Sequence, residues 1–192
     1  MLETLLAFVS KFPQFSDEEV KLIVENLVVE EYKKGTILLK EGEVSTQCYF
    51  ILKGCIRQYF QMEDDEKTTA FFTEEQAVVS FASYSAQIPA NHYFACVEDC
   101  TVIVGDFEKE KEMYQKFPQL QALTRTMMEQ DFGRTQENFA TFITSSPEER
   151  YRHLLEKRPE LLHRVPLHQI ASYLGITPES LSRIRKRLAA KG

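Results

Sequence analysis

The segment LHQIASYLGITPESLSRIRKRL, residues 167–188, decides the fold of the C-terminal part of the chain. A helix-turn-helix needs a small residue in its first helix and a turn residue that tolerates a positive φ angle. Ala171 and Gly175 meet these needs, and Thr177 followed by Pro178 predicts the start of the second helix. Apolar residues occupy the positions that fix the helix crossing: Ile170, Leu174, Ile176, Leu181 and Ile184.

The second helix of this motif is predicted to have one apolar and one polar face. The residues expected to point inward are Leu181, Ile184 and Leu188. A carboxylate accepts a hydrogen bond from cytosine and a guanidinium donates to guanine, so Glu179 and Arg183 are predicted to read bases. Arg185, Lys186 and Lys191 are expected to contact phosphates, which position a protein without reading sequence. The full predicted DNA-contacting set is Thr177, Glu179, Ser180, Arg183, Arg185, Lys186 and Arg187.

The charge of the chain is unevenly distributed. The 192 residues carry a formal net charge of -6, but residues 150–192 hold ten Lys/Arg and three Glu, a balance of +7. Residues 1–149 hold 13 Lys/Arg and 26 Asp/Glu, a balance of -13. This asymmetry favours a nucleic-acid surface in the C-terminal part, although a solvated basic helix would explain the charge alone.

The composition is that of a folded protein with 43% hydrophobic and 27% charged residues. No apolar run reaches membrane-spanning length, and residues 1–15 read as a first helix and not as a signal peptide, so a cytoplasmic location without membrane contact is expected. No nucleophile elbow, phosphate-binding glycine loop or HExxH motif is present, and an enzyme is therefore not expected.

The four cysteines are Cys48, Cys55, Cys96 and Cys100, and no CxxC occurs among them. In a cytosolic chain we expect free thiols that pack as small buried side chains. A redox or metal role is the less favoured alternative, so no metal and no cofactor is predicted.

The pattern of apolar residues and turn signals divides the chain into three parts, 1–117, 118–145 and 146–192. After the helix expected within residues 1–15, the first part contains a helix capped by Ser16 and Glu19 and then short β-rich runs, which indicate an antiparallel sandwich or barrel. Gly35, Gly42 and Gly54 are expected at turns that need positive φ. The predicted strands are 36–39, 47–52, 55–60, 68–72, 93–97 and 101–104.

The second part is a long helix with an apolar stripe, preceded by a short helix at 107–116. The stripe comprises Leu120, Leu123, Met127, Met128, Phe132, Phe139, Phe142 and Ile143. It could pack against its own domain or against the same helix of a second copy. We favour a homodimer, because one helix-turn-helix reads only a few base pairs.

Two glycine-marked segments, YKKGTILLKEGE (Tyr32 to Glu43) and YFILKGCIR (Tyr49 to Arg57), resemble the strands of a cyclic-nucleotide-binding β-roll. With the long helix and the helix-turn-helix, the chain resembles the catabolite-activator/fumarate-nitrate-regulator (Crp/Fnr) family of bacterial transcription regulators. The resemblance implies an α+β chain: an antiparallel β-roll or jelly-roll effector domain, a dimerisation helix and a helix-turn-helix domain without an evident wing. It also implies double-stranded DNA as a partner, with RNA polymerase as a candidate, and base reading by Glu179 and Arg183. Pro178 stands where the family usually has a basic residue.

The effector site departs from the family pattern. The family holds a phosphate with a Gly-Glu pair and an Arg-Ser/Thr pair, which fall here at about Val79-Ser80 and Ala90-Asn91, and residues 68–108 contain no Lys or Arg. Burying an unpaired phosphate is costly, so the roll is predicted not to bind cyclic AMP or cyclic GMP. An unknown small-molecule effector is left open, and so is a sensor module that acts through protein partners. The candidate pocket residues are Val79, Ser80, Phe81, Asn91 and His92.

Overall fold

The computed structural model describes residues 15–190 together with Leu5, Phe8, Val9 and Lys11. Leu5, Phe8 and Val9 are helical, but most of the helix predicted before Phe15 lies outside the described residues, as does Lys191. Within the described part of the chain, every helix is too short or too polar to cross a membrane.

The N-terminal part is a β-roll preceded by a helix. Ser16 and Glu19 form the predicted capping box, in which each side chain binds the other residue's backbone N–H. The elements are α1 (Asp17–Asn26), β1 (Val28–Tyr32), β2 (Ile37–Leu39), β3 (Gln47–Lys53), β4 (Ile56–Gln61), β5 (Glu66–Phe72), β6 (Ala77–Val78), α2 (Phe81–Ala86), β7 (Tyr93–Cys96) and β8 (Cys100–Asp106).

The strands form two four-stranded antiparallel sheets, ordered β1-β8-β3-β6 and β2-β7-β4-β5. Alternate residues point between the sheets, and there they form a packed apolar core. Its main members are Leu39, Tyr49, Ile51, Ile56, Val78, Phe94, Cys96, Cys100, Val102 and Val104. The predicted antiparallel roll is confirmed; β1, β6 and α2 were not predicted.

The three predicted turn glycines all have positive φ. Gly54, between β3 and β4, is the most constrained, with φ +112°. A Cβ at this position would lie 2.6 Å from Cys100 Sγ and 2.8 Å from the carbonyl oxygen of Asp99. Glycine is therefore required here both by the backbone angle and by the close approach of β8.

The rest of the chain is helical. The elements are α3 (Phe107–Lys116), α4 (Pro118–Thr144), α5 (Pro147–Lys157), α6 (Leu161–Arg164), α7 (Leu167–Tyr173) and α8 (Pro178–Ala189). As predicted, α5 begins with Ser146 as the N-cap and Pro147 at its first position, and Glu149 completes a capping box.

The C-terminal helices share a core with the β-roll. Cys55, Phe71 and Val97 of the roll pack with buried residues of α5 to α8. Those buried residues are Tyr151, Leu154, Leu161, Val165, Ile170, Ala171, Leu174, Leu181 and Ile184. The helical unit is thus docked against the outer face of the sheet that contains β4 and β5.

Candidate nucleic-acid interface and effector domain

The turn between α7 and α8 has the geometry that the sequence predicts. Gly175 adopts φ +69°, and the backbone N–H of Ile176 donates to the carbonyl of Ala171 at 3.0 Å. Ala171 is fully buried, as the close crossing of the two helices requires. Leu181 and Ile184 are buried on the inner face of α8, which leaves its opposite face exposed.

Thr177 and Ser180 organise the first turn of α8. The Thr177 hydroxyl accepts a hydrogen bond from the Ser180 backbone N–H at 3.2 Å, as an N-cap residue should. The Ser180 hydroxyl oxygen lies 3.2 Å from the Thr177 hydroxyl and 3.3 Å from Arg183 Nη2. Ser180 therefore holds the guanidinium of Arg183 near the N-terminal end of the helix.

Glu179 is exposed at this end of α8. Its own backbone N–H, and then the Thr177 hydroxyl, hold the pKa of the Glu179 carboxyl below its usual value. The carboxylate is therefore ionised at neutral pH, and it can only accept hydrogen bonds. This is the state needed to accept a hydrogen bond from a base amino group.

The basic residues of α8 have two different surroundings. Arg183, Arg185 and Lys186 are exposed, and none of them has a carboxylate partner among the described ion pairs. Arg187 instead donates to Glu148 at 2.6 Å, and Glu148 also accepts from Arg152 at 3.0 Å. Arg187 thus links α8 to α5, a structural contact that the sequence pattern did not reveal.

The predicted effector residues do not converge on one pocket. Ser80 and His92 are buried in the roll, whereas Asn91 is exposed and Phe81 is 53% exposed. His92 packs against the rings of Phe60 and Phe94, and its Nδ1 lies 3.0 Å from Asn91 Oδ1. Burial lowers the pKa of His92, so that its imidazole is neutral at pH 7 and supplies no cation for a phosphate.

The polar end of the roll is closed by hydrogen bonds that sequence reasoning missed. The Ser83 hydroxyl accepts from the backbone N–H of Ser45 at 2.8 Å and donates to the carbonyl of Ile88 at 2.6 Å. The Tyr49 hydroxyl lies 2.9 Å from Gln47 Oε1. These contacts satisfy the polar groups of Ser45, Ser83 and Tyr49, whereas His92 Nε2 and the Tyr84 hydroxyl are buried without a partner among the described residues.

The β-roll matches a known protein family. Residues 29–117 match the family described as Cyclic nucleotide-binding domain. No curated protein matches the sequence of the chain.

Solved structures match over most of the chain. A CooA mutant from Carboxydothermus hydrogenoformans is 16% identical with a TM-score of 0.73, over 97% of this chain and 85% of that chain. The c-di-GMP responsive global regulator CLP of Xanthomonas campestris is 17% identical with a TM-score of 0.70, over 90% and 91%. FixK2 from Bradyrhizobium japonicum is 18% identical with a TM-score of 0.70, over 86% of each chain. The chain has the Crp/Fnr fold.

Within this Crp/Fnr fold, an open groove of about 1230 Å³ lies on the outer face of the sheet that contains β3 and β8. It is bounded by α1, α2, α3 and the N-terminal half of α4. Of the five predicted effector residues, Val79 and Phe81 line it, whereas Ser80, Asn91 and His92 do not. The apolar residues that dominate its wall include Phe8, Phe50, Phe107, Leu120, Leu123 and Met127.

The cysteines lie mainly in the cores. Cys55, Cys96 and Cys100 are buried and Cys48 is half-buried, and all four are free thiols. Burial raises the pKa of Cys48 to about 11 and that of Cys55 to about 12, so both are protonated at neutral pH. Among the described residues, no group of three or more His, Cys, Asp or Glu side chains could hold a metal ion.

Proposed function

We propose that the protein is a homodimeric, sequence-specific DNA-binding transcription regulator of the Crp/Fnr type, and not an enzyme. The main support for this proposal is the exposed face of α8. It presents an ionised Glu179 and an Arg183 that is hydrogen-bonded to Ser180, while the opposite face of the helix is apolar and buried. Arg185 and Lys186 are exposed beside them and are suited to phosphate contacts. We retain Thr177 and Ser180 as part of the interface, and Arg187 as a contact that also pairs with Glu148.

The exposed surface of α4 supports the homodimer. No residue of this 27-residue helix is buried in the single chain. Successive spacings of four, three, four and three residues place one row of side chains on a single face: Met128, Phe132, Thr135, Phe139 and Phe142. Such a heptad row is the seam of a left-handed coiled coil, and Phe132 and Phe139 are 64% and 66% exposed. We call this row the α4 seam.

The surroundings of the effector residues support a regulator that does not respond to cyclic AMP. No Lys or Arg occurs between residues 68 and 108, and His92 is neutral and packed between two rings. The space between the sheets is filled by side chains such as Tyr49, Ile51 and Phe94. We also propose an unknown small-molecule effector and RNA polymerase as a partner. The same proposal includes a cytoplasmic location and a division of the chain into three parts at residues 117 and 145.

DNA binding can be tested with the full chain and a pool of random-sequence duplexes. We expect repeated selection to enrich a two-fold symmetric site, with an affinity that falls steeply as salt rises because bound Lys and Arg release counterions. Failure to enrich any sequence, or an affinity insensitive to salt, would favour a sensor module that acts through protein partners.

Two single substitutions separate base reading from phosphate contact. Arg183→Ala should lower discrimination at one position of each half-site by ~1–3 kcal/mol. Arg185→Ala should weaken binding to all sequences about equally and reduce the salt dependence. If Arg183→Ala retains the full preference for the selected site, the assignment of base reading to Arg183 is wrong.

A further inference from the structure

A second, much smaller cleft lies where the C-terminal end of α4 meets α5 and α7. Its volume is about 60 Å³, and four basic residues line it: Arg150, His153, Lys157 and Arg158. The other lining residues are Asn138, Thr141, Phe142, Leu154, Tyr173 and Leu174, so that the lining contains no carboxylate.

The spacing of the basic residues explains why they meet. Arg150, His153 and Lys157 are three and four residues apart, which places them on one face of α5. Arg150 and Lys157 are cationic, and the imidazole of His153 between them can donate a hydrogen bond. The described ion pairs give neither His153 nor Lys157 a carboxylate partner. An anion in the cleft would supply the partner that Lys157 lacks among the described residues.

Arg150 supplies an independent observation. Its guanidinium carbon lies 4.3 Å from the centre of the Phe142 ring, and its Nη1 donates to the Phe142 carbonyl at 3.4 Å. Its Nε is buried, and no atom among the described residues accepts a hydrogen bond from it. A buried N–H of a charged group without an acceptor is costly, and native structures usually satisfy it.

Arg158 closes the other side of the cleft. It donates to the carbonyl of Phe71 at 2.8 Å and to the Thr73 hydroxyl at 3.1 Å, and its Nε lies 3.4 Å from Glu160. These contacts hold its guanidinium in place from the β-roll side. Its charge is only partly compensated by Glu160, which does not line the cleft.

The size and the basic lining of the cleft fit a small anion. A buried water needs ~10–15 Å³ of cavity volume, so a cleft of about 60 Å³ has room for roughly four to six such atoms, enough for the four oxygens of a tetrahedral phosphate. Arg and Lys are the side chains that bind phosphate most strongly. We propose that the cleft binds one phosphate group, either as inorganic phosphate or as the monoester of a small molecule whose remainder extends through the open side. Bound there, the anion would join the end of α4 to the helix-turn-helix unit.

Calorimetric titration of the full chain with inorganic phosphate tests the site, with chloride replacing phosphate at constant ionic strength. We expect saturable binding of one phosphate per chain. The double variant His153→Gln/Lys157→Gln should bind at least tenfold more weakly. Arg152→Gln removes a charge from the same helix but lies outside the cleft, and it should bind like the unmodified chain. Circular dichroism without phosphate verifies that the variants are folded.

Titration with phenyl phosphate separates the two sources of the phosphate group. Tighter binding than inorganic phosphate points to a phosphorylated small molecule, and equal or weaker binding points to the free anion. Arg183→Ala should bind phosphate normally, so that a failure of the proposed DNA reading does not affect this result. Non-saturating heats, or equal binding by the double variant and Arg152→Gln, would show general charge screening and overturn the proposal.

Discussion

The α4 seam gives the sharpest test of the dimer. We consider the double substitution Phe132→Gln/Phe139→Gln, which removes two exposed rings but keeps residues that favour a helix. Because no residue of α4 is buried in the single chain, these rings contribute little to the fold of one subunit. The substitution should therefore dissociate the dimer without unfolding the chain.

The expected increase in the dimer Kd follows from the exposed fractions of the two phenylalanine rings. Phe132 and Phe139 are 64% and 66% exposed, so about two thirds of each ring remains to be covered. Full burial of such a side chain is worth about 1.5–3 kcal/mol, which gives about 1–2 kcal/mol for each ring. Two subunits bring four rings, and the sum of about 4–8 kcal/mol raises the dimer Kd by roughly a thousandfold or more.

Sedimentation equilibrium over a range of concentrations measures this Kd directly. The matched control is Gln130→Ala/Glu137→Ala, because each of these residues lies two positions before a seam phenylalanine and thus points to the other side of the helix. We expect the control to dimerise normally and the seam variant to be monomeric at micromolar concentration. If both variants dimerise equally well, the interface lies elsewhere and the role of the α4 seam is refuted.

Three further outcomes are expected for the stability of the chain. Gly54→Ala should lower the free energy of unfolding, as measured by urea denaturation. The loss should be well over ~1–2 kcal/mol, which is the cost of a positive φ angle alone, because the new Cβ would also clash with Cys100. Arg164→Met removes the ion pairs that join α6 to two glutamates of the roll, and we expect a loss of ~1–3 kcal/mol in the same assay; an unchanged free energy of unfolding would contradict this expectation. Hydrogen bonds from Ser146 lower the pKa of Glu149, so its stabilising contribution is present above pH 4.5 and is lost as the pH falls through the lower folded pKa. Ser146→Ala should accordingly be less stable than the unmodified chain at pH 7, with a difference that shrinks in acid; an unchanged difference at low pH would contradict this linkage.

The sequence was most informative where the signals are local. The N-caps Ser16, Ser146 and Thr177, and the turn at Gly175, depend on residues within four positions of one another, and all of them are found where they were predicted. The same holds for the hairpin glycines, because a positive φ is a property of one residue.

The strands that were not predicted from the sequence are those with weak local patterns of apolar residues. β1 alternates poorly, since Glu30 and Glu31 interrupt its apolar residues, and it is held instead by pairing with β8, about seventy residues further along the chain. β6 has only two residues, Ala77 and Val78, which is too short for any periodicity. Such strands exist because a distant partner supplies their hydrogen bonds, and no window of sequence contains that partner.

The contact between the β-roll and the helix-turn-helix is likewise invisible in the sequence. The Ser172 hydroxyl accepts from the Thr68 backbone N–H at 3.0 Å and donates to the Glu66 carbonyl at 2.8 Å. β5 is an edge strand, so these backbone groups have no strand partner on that side, and the serine of α7 satisfies them in its place. The first helix of the helix-turn-helix is thereby hydrogen-bonded to the β-roll. No local sequence signal marks Ser172, and only the position of β5 reveals that this serine joins the two parts of the chain.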